Sequence, residues 1–182
     1  MVRPADIELF AAKAVAAGAR VERFGTAAEA QSFLAAFAAG RGFSRIVATR
    51  DARPLLAGPA PLALFAPSAL SDFARAELGV IRADHGVAAT GTLARWDETD
   101  EDRLAATIAP VCACFLYEAD IVPELEDIAA GIDAHLRPGP RPAFRQVSLI
   151  TGPSRTADIE NELTLGVHGP GELLILIIGG RP

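Results

Sequence analysis

The segment TGPSRTADIENELTLGVHGPGEL, residues 151–173, concentrates residue types able to do chemistry. His168 is one of only three histidines in the chain and lies in a turn rich in glycine and proline. Its imidazole is the side chain suited to accept a proton near neutral pH, and Asp158 or Glu160 could orient it. Upstream, Gly152 allows close backbone approach, Pro153 stiffens the turn, and Ser154 and Thr156 offer hydroxyls near an expected helix N-terminus. Backbone N–H groups and the helix dipole favour an anion at such a place, and the Arg155 guanidinium suits a carboxylate. The same residues have plain structural uses. Ser154 or Thr156 can cap a helix, acidic residues in a first turn suit the dipole, and a lone histidine can hold a loop through hydrogen bonds. Spacing alone leaves both readings open.

Elements that would position this segment alternate along the chain. Ile7, Phe10, Ala11, Ala14 and Val15 recur at helical spacing before Gly18. Thr26 opens a second helix with Glu29 completing a capping box, and Gly40 ends it. RIVAT and LALFAP read as buried strands, and residues 68–78 as a helix stopped by Gly79. VIRADHGVAATGTLARW is expected to be strand, turn and strand, followed by a solvated acidic loop, DETDEDRL. VCACFLY reads as a central strand, VPELEDIAAGIDAHL as a helix, RPGPRP as a loop and QVSLI as a strand. A short helix is expected after TGPSRTAD, and ELLILII closes the chain as a last strand. Helices alternating with short β-branched runs imply an α/β fold with a largely parallel sheet flanked by helices, expected as a single domain over residues 1–182. In such sheets ligands bind outside the carboxyl ends of strands, and QVSLI would deliver the TGPS turn there.

Composition narrows the functional classes. With 51% hydrophobic and 22% charged residues the chain is ordinary globular material. A net charge of −6 with scattered arginines argues against nucleic-acid and anionic-membrane binding, and Lys13 is the one lysine. No apolar run reaches the length of a membrane span and no secretory leader opens the chain, so a cytoplasmic location is expected. Cys112 and Cys114 are the only cysteines, both inside VCACFLY. Strand alternation puts them on one face, where they are expected to be buried and reduced, without the company a metal site needs.

Two ordered motifs carry a family resemblance. G-P-S-x-T-x-D-I-E followed by G-V-H-G-P, and ADHGVAATGTL over residues 83–93, together resemble the LUD-domain family of the lactate utilisation protein C group, over about Ile7 to Ile178. The resemblance implies a fold related to the sugar-phosphate isomerase and CoA-transferase superfamily (NagB/RpiA-like). It implies an accessory or substrate-binding role in oxidising L-lactate to pyruvate, beside an iron–sulfur subunit and a second, cysteine-rich subunit. Lacking cysteine clusters, this chain would bind no cofactor itself and would leave iron–sulfur clusters to a partner. If the GVHGP turn folds back over the TGPS turn, His168, Asp158 and Glu160 are the expected catalytic residues, while Thr90, Gly91, Thr92, Gly152, Ser154, Arg155 and Thr156 bind ligand. The alternatives are a stand-alone isomerase or CoA-transferase-like enzyme on a small anion, and a pure interaction protein. The chain departs from the pattern in having Ala89 where an acidic residue usually precedes T-G-T, which turns attention to Asp84, Asp158 and Glu160. It also begins almost directly with its first helix, where relatives commonly carry a longer N-terminal segment.

Overall fold

VCACFLY is buried at every position, and ELLILII at all but its first, so neither run can lie on a half-exposed sheet. Strands of this kind belong in the middle of a parallel sheet covered on both faces. The computed structural model, which describes residues 2–137, 145–157, 163–165 and 169–180, places them there. In chain order the elements are α1 (Pro4–Ala16), β1 (Arg20–Phe24), α2 (Ala27–Gly40), β2 (Ile46–Ala48), β3 (Leu78–Arg82), β4 (His85–Val87), β5 (Thr92–Asp97), α3 (Asp100–Thr107), β6 (Val111–Tyr117), β7 (Ile121–Val122), α4 (Ala129–Leu136), β8 (Gln146–Ile150), β9 (Arg155–Ala157), β10 (Leu163–Leu165) and β11 (Glu172–Ile178).

The parallel sheet runs β1-β11-β6-β3-β2. On one face, Cys112, Cys114 and Leu116 with Leu173, Ile175 and Ile177 pack against Ile7, Phe10 and Ala14 of α1. On the other, Ala113, Phe115, Leu174 and Leu176 meet Ala30, Leu34 and Ala38 of α2. A second sheet, β7-β4-β5-β8, lies over the α1 side, contributes Leu93 to that core, and packs its own Val87 and Ala94 with Ile128. The fold is therefore α/β with a mainly parallel central sheet flanked by helices. Gly79 lets α3 settle onto β3, because a Cβ there would lie 1.9 Å from the Ala105 carbonyl oxygen. No helix among the described residues is long and apolar enough to cross a membrane.

Several expected elements change. RVERF, whose charges hide its alternation, is the edge strand β1, paired with the far end of the chain. DETDEDRL contributes a helix, α3: Thr99 accepts from Asp102 N–H at 3.1 Å, and the acidic residues fall in the first turn, where the dipole favours them. Residues 68–78 hold only the 3₁₀ turn Leu70–Arg75, and Gly79 lies inside β3. LALFAP is not a strand of the sheet: it meets β2 at an isolated Ile46–Leu64 bridge, with Phe65 N–H donating to the Ile46 carbonyl at 2.8 Å. QVSLI is not in the parallel sheet: as β8 it pairs antiparallel with β5. After TGPS the chain continues as β9, paired with β10, so no helix begins at Ser154 or Thr156. α4 begins later than Pro123 suggests, after a 3₁₀ turn at Leu125–Ile128. The Thr26–Glu29 capping box forms as expected.

Glu77 pins the start of β2 to β3. Its carboxylate accepts from the Ser44 and Arg45 backbone N–H groups, both at 2.8 Å, and pairs with the Arg45 guanidinium at 2.9 Å. The two backbone donors hold its pKa down to about 2, against an ordinary 4.5. A depressed folded pKa stabilises the fold above the unfolded value and loses that contribution as pH falls through the folded one. Denaturation measured from pH 5 to pH 2 should therefore show a decline that is shallower in Glu77→Ala, whose stability is already lower at pH 5. Parallel slopes would contradict this role.

Candidate functional site

The two sequence motifs meet. Leu93 pairs with Ile150 between β5 and β8, and next to that pair a hydroxyl chain runs Thr90–Thr92–Thr151, with 2.7 Å at each step. Gly91 and Gly152 both have positive φ, and both press against the end of α1. A Cβ on Gly91 would lie 2.3 Å from Ala14 N, and one on Gly152 2.3 Å from the Ala17 carbonyl oxygen. Glycine is needed at these places for the helix to fit. The Ser154 N–H donates to the Pro170 carbonyl at 2.8 Å, and a Cβ on Gly169 would touch Ser154 Cβ at 3.1 Å, so the TGPS turn lies against the GP of the second turn.

This junction is at the amino edge of the parallel sheet. Pro170 just precedes β11, and Gly171 N–H donates to the carbonyl of Pro110, which just precedes β6. The expected carboxyl-edge position of the TGPS turn fails because QVSLI belongs to the other sheet. The Ser154 amide, expected to hold a carboxylate, is already spent on Pro170, and Thr92 is buried and bonded on both sides. His168, Asp158 and Glu160 lie outside the described residues, and the side chains of Arg155 and Thr156 are not described.

At the opposite, carboxyl edge the structure opens a cleft of about 410 Å³ that sequence reasoning did not anticipate. Its base is Arg95, 2% exposed on β5. Arg95 Nε donates to Asp97 at 2.7 Å, and Nη1 donates to the Arg82 carbonyl at 2.9 Å and to Asp51 at 3.3 Å. Asp102 of α3 stands 3.8 Å from Nη2. Burial works against the guanidinium charge, but Asp51, Asp97 and Asp102 outweigh it and raise the Arg95 pKa. Ser148 of β8 donates to the other oxygen of fully buried Asp97.

Around this base stand Arg50, Arg82, Asp84, Trp96 and His135. Arg82 extends over the Tyr117 ring, 6.0 Å from its centroid, and its buried Nε has no acceptor among the described residues. Most other arginines of this acidic chain pair with carboxylates, as Arg3, Arg20, Arg23, Arg41, Arg45, Arg103 and Arg137 do. Among the described residues Arg50, Arg53, Arg75, Arg82 and Arg145 have no such ion pair, and three of the five, Arg50, Arg53 and Arg82, line this cleft or the compartment beside it. Asp84 accepts from Trp96 N–H at 2.8 Å. Burial pushes its carboxyl above the usual range; nearby Asp51 adds to the rise, while the Trp96 bond and the charges of Arg95 and Arg82 oppose it. Trp96 stacks on His135, with centroids 5.9 Å apart, and meets His85 edge-on at 5.8 Å.

The cysteines lie elsewhere. Cys112 and Cys114 are free and buried in β6, with burial pushing the Cys112 thiol up to about 12 and raising that of Cys114 as well. Among the described residues no group of three or more His, Cys, Asp or Glu is placed to hold a metal ion.

Residues 67–178, which span both motifs and the Arg95 base, match the LUD domain pattern. The chain belongs to the LUD-domain family. The chain is 34% identical over 106 residues to an uncharacterized protein of Neisseria meningitidis, covering 58% of this chain and 44% of that protein. It is 30% identical over 108 residues to Lactate utilization protein C of a Geobacillus species, covering 59% and 44%. The matched LUD region thus spans under half the length of these relatives. A crystal structure of a DUF162 family protein from Deinococcus radiodurans shares the fold with a TM-score of 0.67, across 98% of this chain and 99% of that one, at 20% identity.

Removing the Arg95 guanidinium would leave Asp97 charged and buried. Arg95→Met is therefore expected to cost about 3–5 kcal/mol in denaturant unfolding, the usual effect of breaking a buried ion pair. A loss below about 1 kcal/mol would show that the LUD domain does not depend on this guanidinium.

Proposed function

We infer that this LUD domain serves lactate utilisation as a substrate-binding or accessory component, holding a small 2-hydroxy acid anion in the carboxyl-edge cleft. Relatives named Lactate utilization protein C support the setting. The observation that carries the site is the presence of two arginines without carboxylate ion pairs, Arg50 and Arg82, in a cleft whose lining also holds Asp51, Asp84, Glu98 and Asp102. A carboxylate sits between the two guanidinium groups, and Asp84, made more basic by its burial, accepts the substrate hydroxyl proton. Iron–sulfur clusters need clustered thiolates, and this chain's only two thiols are buried in β6 with raised pKa values. Its residues do not fit such a cluster, which supports the reading that the two electrons leaving the substrate pass to iron–sulfur clusters on a partner, beside a cysteine-rich subunit.

A second reading keeps the substrate at the amino-edge junction, with His168 as proton acceptor, Asp158 or Glu160 orienting it, Arg155 holding the carboxylate and Thr90 lining the wall. The contact of Ser154 with Pro170 favours it, because that contact brings the two turns together.

Kinetics of the assembled complex separate the two. On the first reading Arg82→Gln raises KM for L-lactate about tenfold or more, Asp84→Asn lowers kcat about 10²-fold, and His168→Gln leaves both near wild type. A 10²-fold loss in His168→Gln with Arg82→Gln unaffected would move the site to the junction.

A further inference from the structure

The cleft has a neighbour that lactate alone does not explain. A second compartment of about 370 Å³ adjoins it and shares Arg50 and Asp102 as lining. Its apolar lining is Phe65 and Pro67 over the buried Val47 and Phe73, and Thr99, Glu101 and Asp102 line it as well. The ridge between the compartments is fixed by backbone contacts: Arg50 N–H donates to Asp102 at 3.4 Å, and Asp102 N–H to its cap Thr99 at 3.1 Å. At the far rim Arg53 Nε donates to the Ala48 carbonyl at 3.2 Å, which holds its charge at the mouth. Arg50 and Arg53 thus stand beside an aromatic and aliphatic patch, with Glu101 and Asp102 in the same compartment. The patch gives an anion with an apolar body a surface that a three-carbon acid would leave to water.

The geometry points to one bipartite site whose ligands are carboxylates bearing a branched aliphatic or aromatic side chain, with the carboxylate on Arg82 and Arg50 and the side chain over Phe65 and Phe73. This rests on the reading that Arg82 and Arg50 bind a carboxylate, and it widens the substrate class from lactate to longer 2-hydroxy acids. Each buried methylene adds about fourfold in affinity. A 2-hydroxy-4-methylpentanoate should accordingly bind at least about tenfold more tightly than L-lactate, after some of its side chain remains wet.

Trp96 is the only tryptophan in the chain and lines the polar compartment, so its fluorescence reports occupancy in the isolated protein. Titrations with L-lactate and L-2-hydroxy-4-methylpentanoate are expected to give the tenfold preference in wild type. Phe65→Ser changes a half-buried loop residue, and should bring the longer acid close to lactate while leaving lactate affinity unchanged. Arg82→Gln should weaken both acids by a similar factor. Equal affinity of the two acids, with both still dependent on Arg82, would overturn the bipartite site and leave the carboxylate reading standing. A preference that survives Phe65→Ser also overturns it, because the side chain would then lie elsewhere. No saturable response to either acid would remove the carboxylate reading and this inference together.

Discussion

A buried guanidinium must be surrounded by acceptors, and Arg95 draws those acceptors from parts of the chain far apart in sequence. Asp97 is two residues along the same strand; Asp51 follows β2, the Arg82 carbonyl ends β3, and Asp102 lies in the first turn of α3. One side chain therefore ties the second sheet, the carboxyl edge of the parallel sheet and α3 to a common point. The desolvation cost of such a group is large, and its fold must close around it to offset that cost. The cleft is the space left where these elements converge without filling the edge.

The two ends of the molecule divide the work. At the amino edge, Gly91 and Gly152 bring backbone into contact with α1, and the Thr90–Thr92–Thr151 chain satisfies hydroxyls between the motifs. Those residues fasten the second sheet to the helix. At the carboxyl edge, Arg50 and Arg82, which form no ion pair among the described residues, face a cavity together with Asp84 and Glu98. Residual charge facing a cavity is what a binding site needs and what a scaffold avoids.

Much of the fold was legible because local signals agreed. The Thr26–Glu29 box, the unbroken apolar runs VCACFLY and ELLILII and the turn in ADHGVAATGTL each announce their element, and the motifs led to the LUD family. What was not legible depends on partners. RVERF shows strand character only when β11 lies beside it, and QVSLI joins the second sheet because β5 presents a free edge. Arg95 reads as an exposed charge in TLARWD. The same-face spacing of Arg95 and Asp97 along a strand was the one local hint that both turn inward; Asp51 and Asp102 could be found only in three dimensions. Asp84 drew notice as a substitute for the carboxylate missing at Ala89, but its place beside Arg82 and Trp96 follows from the fold.

On the proposed reading, ligand binds at the carboxyl edge, over Arg95, and not where the sequence motifs meet. Amide hydrogen exchange of the intact chain, with and without a saturating 2-hydroxy acid, tests it directly because the two edges lie on separate peptides. Slowed exchange is expected in residues 49–53, 82–85 and 95–102, with residues 151–154 and 169–171 unchanged. Protection confined to the TGPS and GPG turns, with the Arg95 region unaltered, would contradict it.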